Sequence, residues 1–211
     1  MRRREAIKNL SLGIGYVVSA PAVLGILESC SGGESAPAWE AVFFNEEQRH
    51  LSSHLVDIIL PTTEIPGGLD LNLPQFVDRM CADLLTESDK KWFQRGSQLF
   101  ASDLLESSGR EVGRSGRKDV LEVFEKHFKV SQESKRAILQ RQALGTEGLS
   151  QEEEDGYALY RFLFIVREFA LLGYFSSEEI GKEVLVFDPI PGGFKPCIPV
   201  SEVGNAWTIE P

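Results

Sequence analysis

The chain has 211 residues, 42% of them hydrophobic, and sets 22 Lys and Arg against 32 Asp and Glu for a net charge of -10. That length suits one domain with a sizeable core. The acidity repels phosphate backbones and anionic head groups, which excludes nucleic-acid binding and leaves the N-terminus as the expected means of membrane attachment.

The chain opens MRRREAIKNLSLGIGYVVSAPAVLGILESCSGG. Residues 10–27 carry no charge, and about 18 residues is the lower limit for a helix that spans a bilayer. Gly13, Gly15, Gly25 and Pro21 lower helix propensity and hydrophobicity, which suits the apolar region of an export signal better than a permanent span. Arg2, Arg3, Arg4 and Lys8 favour a cytoplasmic N-terminus, so the body is expected on the periplasmic side of a bacterial membrane. Arg3-Arg4-Glu5-Ala6-Ile7-Lys8 resembles a twin-arginine signal with Ala6 at the usually aromatic position, making Arg3 and Arg4 the export candidates. Leu27-Glu28-Ser29-Cys30 resembles a lipobox with an unusual Glu28, making Cys30 the candidate lipidation site. The plainer alternative is an anchor helix with an incidental cysteine. The expected division is an export signal over 1–29, a flexible lipid-anchored tether over 30–43 and a folded body over 44–211. Loss of residues 1–29 takes four basic and two acidic side chains from the 22 and 32, leaving a net charge of -12.

Helix signals dominate the body. Asn45 with Gln48 makes a partial capping box, and Leu51, Leu55, Ile58 and Ile59 form an apolar stripe that ends at Pro61. After the loop PTTEIPGGLDLNL, Pro74 sits in the first turn of a second helix whose apolar positions include Val77, Cys81 and Leu84. Ser88 is the expected cap of a third helix, and the polar SSGREVGRSGRKD reads as a flexible loop. Shorter helices follow around residues 120–128 and 133–144. Ser150 and Glu153 form a second capping box ahead of YALYRFLFIVREFALLGYF, a run apolar on nearly every side, as a central bundle helix requires, with Gly173 as its expected C-cap. A short helix is expected over 177–183. VFDPIPGGFKPCIPV should then be extended and turn-rich. The expected fold is all-α: one bundle of about six to seven helices with an extended Pro/Gly-rich C-terminal segment packed over it.

Motifs for covalent haem, zinc or iron-sulfur clusters, a phosphate-cradling loop and a dinucleotide fingerprint are missing from the sequence, as is a nucleophile elbow. Glu47, His50 and His54 share one helix face and resemble half of a di-iron carboxylate site; a hydrogen-bonded histidine at the core edge is the plainer reading of His54. Asp57, Glu64, Asp70, Asp78 and Asp83 could supply a hydrolytic carboxylate pair, but in so acidic a chain solvated carboxylates explain most of them. Arg167 and Glu168 inside the apolar run are expected to form buried ion pairs with neighbouring helices. Cys81 and Cys197 either close a disulfide worth about 4 kcal/mol on the chain-entropy model or remain two unpaired buried thiols.

The order of an RREAIK leader, a helix ending DIILPTTEIPGG, then LPQFVDRMCADLL, a central helix ending FALLGYFSSEEIG, and FDPIPGGFKPCIPV resembles the gluconate 2-dehydrogenase subunit 3 family. The likeness covers roughly residues 1–200, with a generic helical middle. It implies a small subunit without catalytic residues or cofactor of its own. Its partners would be a large GMC-type dehydrogenase subunit holding FAD, and a multi-haem c-type cytochrome in a third subunit. The small subunit would carry the export signal for a folded, cofactor-loaded partner. Gly67 and Gly68, with Asp188, Pro189, Pro191, Gly192 and Gly193, are the candidates for partner contact, unless these segments only cover the bundle. Two other readings remain open: a self-sufficient metal-dependent hydrolase using Glu47, His50 and His54, and a lipoprotein that stacks sugars on Trp39, Trp92 and Trp207.

Overall fold

A 26-residue helix organises the molecule because its sequence offers apolar side chains in nearly every direction. The computed structural model describes residues 39–186, 197, 199–204 and 206. Among these residues the elements are α1 (Glu46–Ile59), α2 (Leu73–Leu84), α3 (Glu87–Ser108), α4 (Arg117–Phe128), α5 (Gln132–Leu144), the central α6 (Gln151–Ser176) and a short α7 (Val200–Val203). A 3-10 turn at Val112–Arg114 precedes α4, and a π turn at Ile180–Val184 follows α6. The all-α bundle is as expected. Arg3, Arg4, Cys30, Trp207 and the stretch with Asp188, Pro189, Pro191, Gly192 and Gly193 lie outside the described residues.

Helix α6 touches α1, α2, α3, α5 and the π turn, and its most extensive partner is α3. The Phe162 ring is fully buried, with Phe93 edge-on at 5.0 Å and Phe100 at 6.0 Å. Such pairs add about 0.5–1.5 kcal/mol each to area burial. Gly96 makes this crossing possible: a Cβ there would lie 2.0 Å from the carbonyl oxygen of Ala158 and 2.7 Å from the Cβ of Phe162. The crossing is flanked by Arg95 with Glu154 and Asp155, and by Arg161 with Asp89.

Both capping boxes form as read from sequence, Asn45 with Gln48 and Ser150 with Glu153. Several local readings are corrected. The cap of α3 is Thr86, whose hydroxyl accepts the Asp89 N–H at 3.1 Å and donates to the Asp89 carboxylate, so the helix starts before Ser88. Gly173 is not a C-cap. It lies inside α6, where a Cβ would meet the Phe76 ring at 2.7 Å, so the glycine admits α2. The polar loop after α3 hides a buried Val112 and Ser115, the predicted helix over 177–183 is a π turn, and the tail contains the unpredicted α7. Arg167 and Glu168 are exposed rather than buried. Helix α5 lies beside the first half of α6, along Glu153, Tyr157 and Tyr160, and leaves one side of the second half in solvent.

The buried charge belongs instead to Asp78, which is 1% exposed. Its carboxylate accepts the backbone N–H groups of Val42 at 2.7 Å, Phe43 at 2.9 Å and Phe44 at 2.7 Å. The Arg49 guanidinium adds a hydrogen bond to the carbonyl of Trp39 and sits 5.8 Å from that ring. Residues 39–43, expected to belong to a flexible tether, are therefore docked on the bundle.

Cys81 is fully buried and Cys197 exposed, and both are free thiols. The bond is not formed, and only one of the two is buried. Burial, with the nearby Asp78 charge, pushes the Cys81 thiol far above its ordinary 9.0. A maleimide should label Cys197 in the native protein and Cys81 only after denaturation, as peptide mass mapping would show; rapid native labelling of Cys81 would contradict this packing. Because the unfolded chain ionises Cys81 near the ordinary thiol value and the folded chain does so only higher, its contribution to stability is present below pH 9 and declines above it.

Candidate interaction surface

Metal and hydrolytic constellations are not assembled. His50 Nε2 lies 2.8 Å from the carbonyl oxygen of Ser115, so that nitrogen carries a proton which the carbonyl accepts. It cannot serve as a base toward the Ser115 hydroxyl, which donates to the carbonyl of Val112 at 2.7 Å. The His54 ring packs edge-on against His50 at 4.6 Å, both rings are buried, and Glu47 points to solvent. Among the described residues no group of three or more His, Cys, Asp or Glu is arranged to hold a metal ion.

The five candidate carboxylates have separate surroundings. Asp78 is the buried clamp, contrary to the expectation of solvation, while Asp57 pairs with Arg117. Glu64 and Asp83 are exposed. Asp70 accepts hydrogen bonds from the Thr62 hydroxyl at 2.6 Å and the Gly67 N–H at 2.7 Å, which hold its carboxyl below the usual carboxylate range. Trp39 and Trp92 are half-buried rather than open sugar platforms; Trp92 meets Tyr157 edge-on at 5.4 Å.

A different feature gathers the most distinctive sequence. The loop after α1 turns back on itself: Gly68 N–H donates to the carbonyl of Leu60 at 2.8 Å, and Leu73 N–H to that of Gly68 at 2.9 Å. A Cβ at Gly67 would stand 2.4 Å from the Thr62 nitrogen and one at Gly68 2.4 Å from a Val56 methyl. The two glycines are buried and shape the loop, so contact with a partner at this end has to come from their neighbours. Asn72, with a left-handed φ of 53°, then turns the chain into α2, whose Leu73 and Phe76 pack on Gly173 near the end of α6.

The loop and the C-terminal end of α6 therefore meet. Between them lies an open depression of about 520 Å³ lined by Asp70, Leu71 and Asn72 on one side and by residues 177–179, 182 and 183 on the other. Segments flanking it expose Ile65 (41%), Leu69 (42%), Leu172 (47%) and Phe175 (48%). The single cation of the lining, Lys182, is paired with Glu178 at 2.5 Å. Sequence reasoning found the glycines here but missed the apolar residues around them. Leu172 and Phe175 were absorbed into a helix read as buried on all sides.

DIILPTTEIPGG contributes the exposed Ile65 and leads directly into the Asp70–Asn72 wall, while GYFSSEEIG supplies Ser177, Glu178 and Glu179 of the other. No curated protein and no solved structure matches the chain. The family model described as gluconate 2-dehydrogenase subunit 3 matches residues 46–192, from the start of α1 to beyond the π turn. With that match over more than half of its length, the chain belongs to the gluconate 2-dehydrogenase subunit 3 family.

Proposed function

We propose that this protein is a non-catalytic accessory subunit of a flavin-dependent sugar or sugar-acid dehydrogenase complex, held on the periplasmic side of a bacterial membrane. The observation that carries the reading is the family match across the helical body, residues 46–192. The enzyme's FAD resides in a large GMC-type subunit, and haem c in a third, cytochrome subunit. The small chain supplies what the large one lacks, an export signal at Arg3 and Arg4 and a folded platform that travels with it, while lipid on Cys30 tethers the assembly. The twin-arginine route accepts folded cargo, so a flavin-loaded partner can cross bound to this subunit.

Substituting Arg3→Lys together with Arg4→Lys tests the export role. The large subunit is expected to remain in the cytoplasm with its flavin bound, and periplasmic dehydrogenase activity to fall at least about tenfold. Unchanged periplasmic activity of the partner would contradict the role.

A further inference from the structure

We infer that the end of the bundle formed by the loop after α1, the last turn of α6 and the π turn is the docking surface for the large dehydrogenase subunit. The large subunit would meet it with an apolar patch bordered by lysine and arginine. This inference rests on the accessory-subunit reading and adds where the partner binds and with what chemistry.

Two properties coincide at this end. Ile65, Leu69, Leu172 and Phe175 are all more than 40% exposed. Phe76 and Leu73, packed on Gly173, join the two segments that carry them. Apolar side chains held on a fixed backbone are suitable interface anchors because little conformational entropy is lost when they are covered. Here the backbone is fixed by the Gly68–Leu60 and Leu73–Gly68 hydrogen bonds and by the Asp70 carboxylate.

The rim sets the partner's charge. Asp70, Glu178, Glu179 and Glu183 surround the depression against Lys182 alone. Among the described residues Glu179 and Glu183 have no ion-pair partner. Covering these carboxylates without opposite charges is unfavourable through desolvation and mutual repulsion, so the occupant has to bring cations. An anionic bilayer is repelled by this end. A second copy of the chain would have to offer basic residues such as Lys135 and Arg136, both exposed on α5.

The test measures binding of the purified large subunit to the immobilised full-length chain, with gel filtration of the chain alone. Glu178→Lys with Glu179→Lys should weaken the complex about tenfold, chiefly in the association rate, and flatten its salt dependence. Leu69→Ser with Leu172→Ser should weaken it about thirtyfold, chiefly in the dissociation rate. Lys135→Glu with Arg136→Glu on α5 should leave the affinity unchanged. All six positions are exposed or half-exposed, and thermal unfolding checks that each variant is folded. If the unsubstituted chain binds and both end variants bind equally well, the docking surface is wrong while the accessory role stands. Loss of self-association in the end variants with unaltered binding of the large subunit would assign the surface to a second copy and overturn the inference. If the unsubstituted chain fails to bind the large subunit, the accessory reading falls and this inference falls with it.

Discussion

Gly96→Ala is expected to lower the thermal midpoint by about 10 °C, an unusually large effect for one added methyl group. The new Cβ would stand 2.0 Å from the carbonyl oxygen of Ala158 and 2.7 Å from its carbonyl carbon. Both are backbone atoms of α6 and cannot rotate away. The helices must separate, which loosens the contacts of Phe162 with Phe93 and Phe100 at the centre of the core. Overpacking of this kind costs about 3 kcal/mol, and a domain of this size shifts about 2–4 °C per kcal/mol. Gly156→Ala is the contrasting substitution. It lies in α6 with nothing within 4 Å of the place the added methyl would take, so the gain in helix propensity should stabilise by about 0.5–1 kcal/mol. Circular dichroism melts of the two variants should therefore move in opposite directions; equal midpoints would contradict the close helix crossing.

Asp78→Ala should cost about 4 kcal/mol. It removes an acceptor shared by three backbone N–H groups, of which that of Phe44 is buried. Charge-assisted hydrogen bonds contribute roughly 1.5–3 kcal/mol each, partly offset here because the loosened segment can reach water. Asp78→Asn should lose about half as much. One amide oxygen can still accept from Phe43 and Phe44, but the amide nitrogen opposes the Val42 N–H. Chemical denaturation measures the loss. Hydrogen exchange locates it: amides 42–44 should exchange at least about tenfold faster in Asp78→Ala, with those at the centre of α6 far less affected. Uniform acceleration across the bundle would show that Asp78 supports the whole core rather than the lead-in.

Much of the scaffold was legible because short-range chemistry determines it. Asn45 with Gln48 and Ser150 with Glu153 announce two helix starts through bonds made within four residues, and Pro74 marks the first turn of α2. What stayed hidden depends on contacts distant in sequence. Asp78 lies among the core positions Val77 and Cys81 of α2, a local sign of burial, but its partners are amides 34–36 residues earlier in a stretch that reads as a tether. Arg167 and Glu168 looked buried because the apolar run around them has no polar face, yet which side of α6 is covered depends on where α5 packs. A lone glycine inside a helix pattern, Gly96, could have signalled close approach, but its partner Ala158 lies on α6, beyond two intervening helices.

The candidate surface was half legible. Gly67 and Gly68 drew attention to the correct loop, although the structure gives them an internal role. Glu178 and Glu179 of the acidic rim were part of a distinctive motif and Glu183 follows it, but their meeting with Asp70 follows only from the packing of α2 on the end of α6.

The accessory-subunit account is tested most directly by co-expressing the full-length, affinity-tagged chain with the large subunit and measuring flavin and dehydrogenase activity in the purified fraction. The account predicts that the large subunit, its flavin and most of the sugar-dependent electron transfer to an artificial acceptor are recovered with the tagged chain, and that the tagged chain alone has none of that activity. A large subunit that is active, exported and recovered entirely apart from this chain would contradict it.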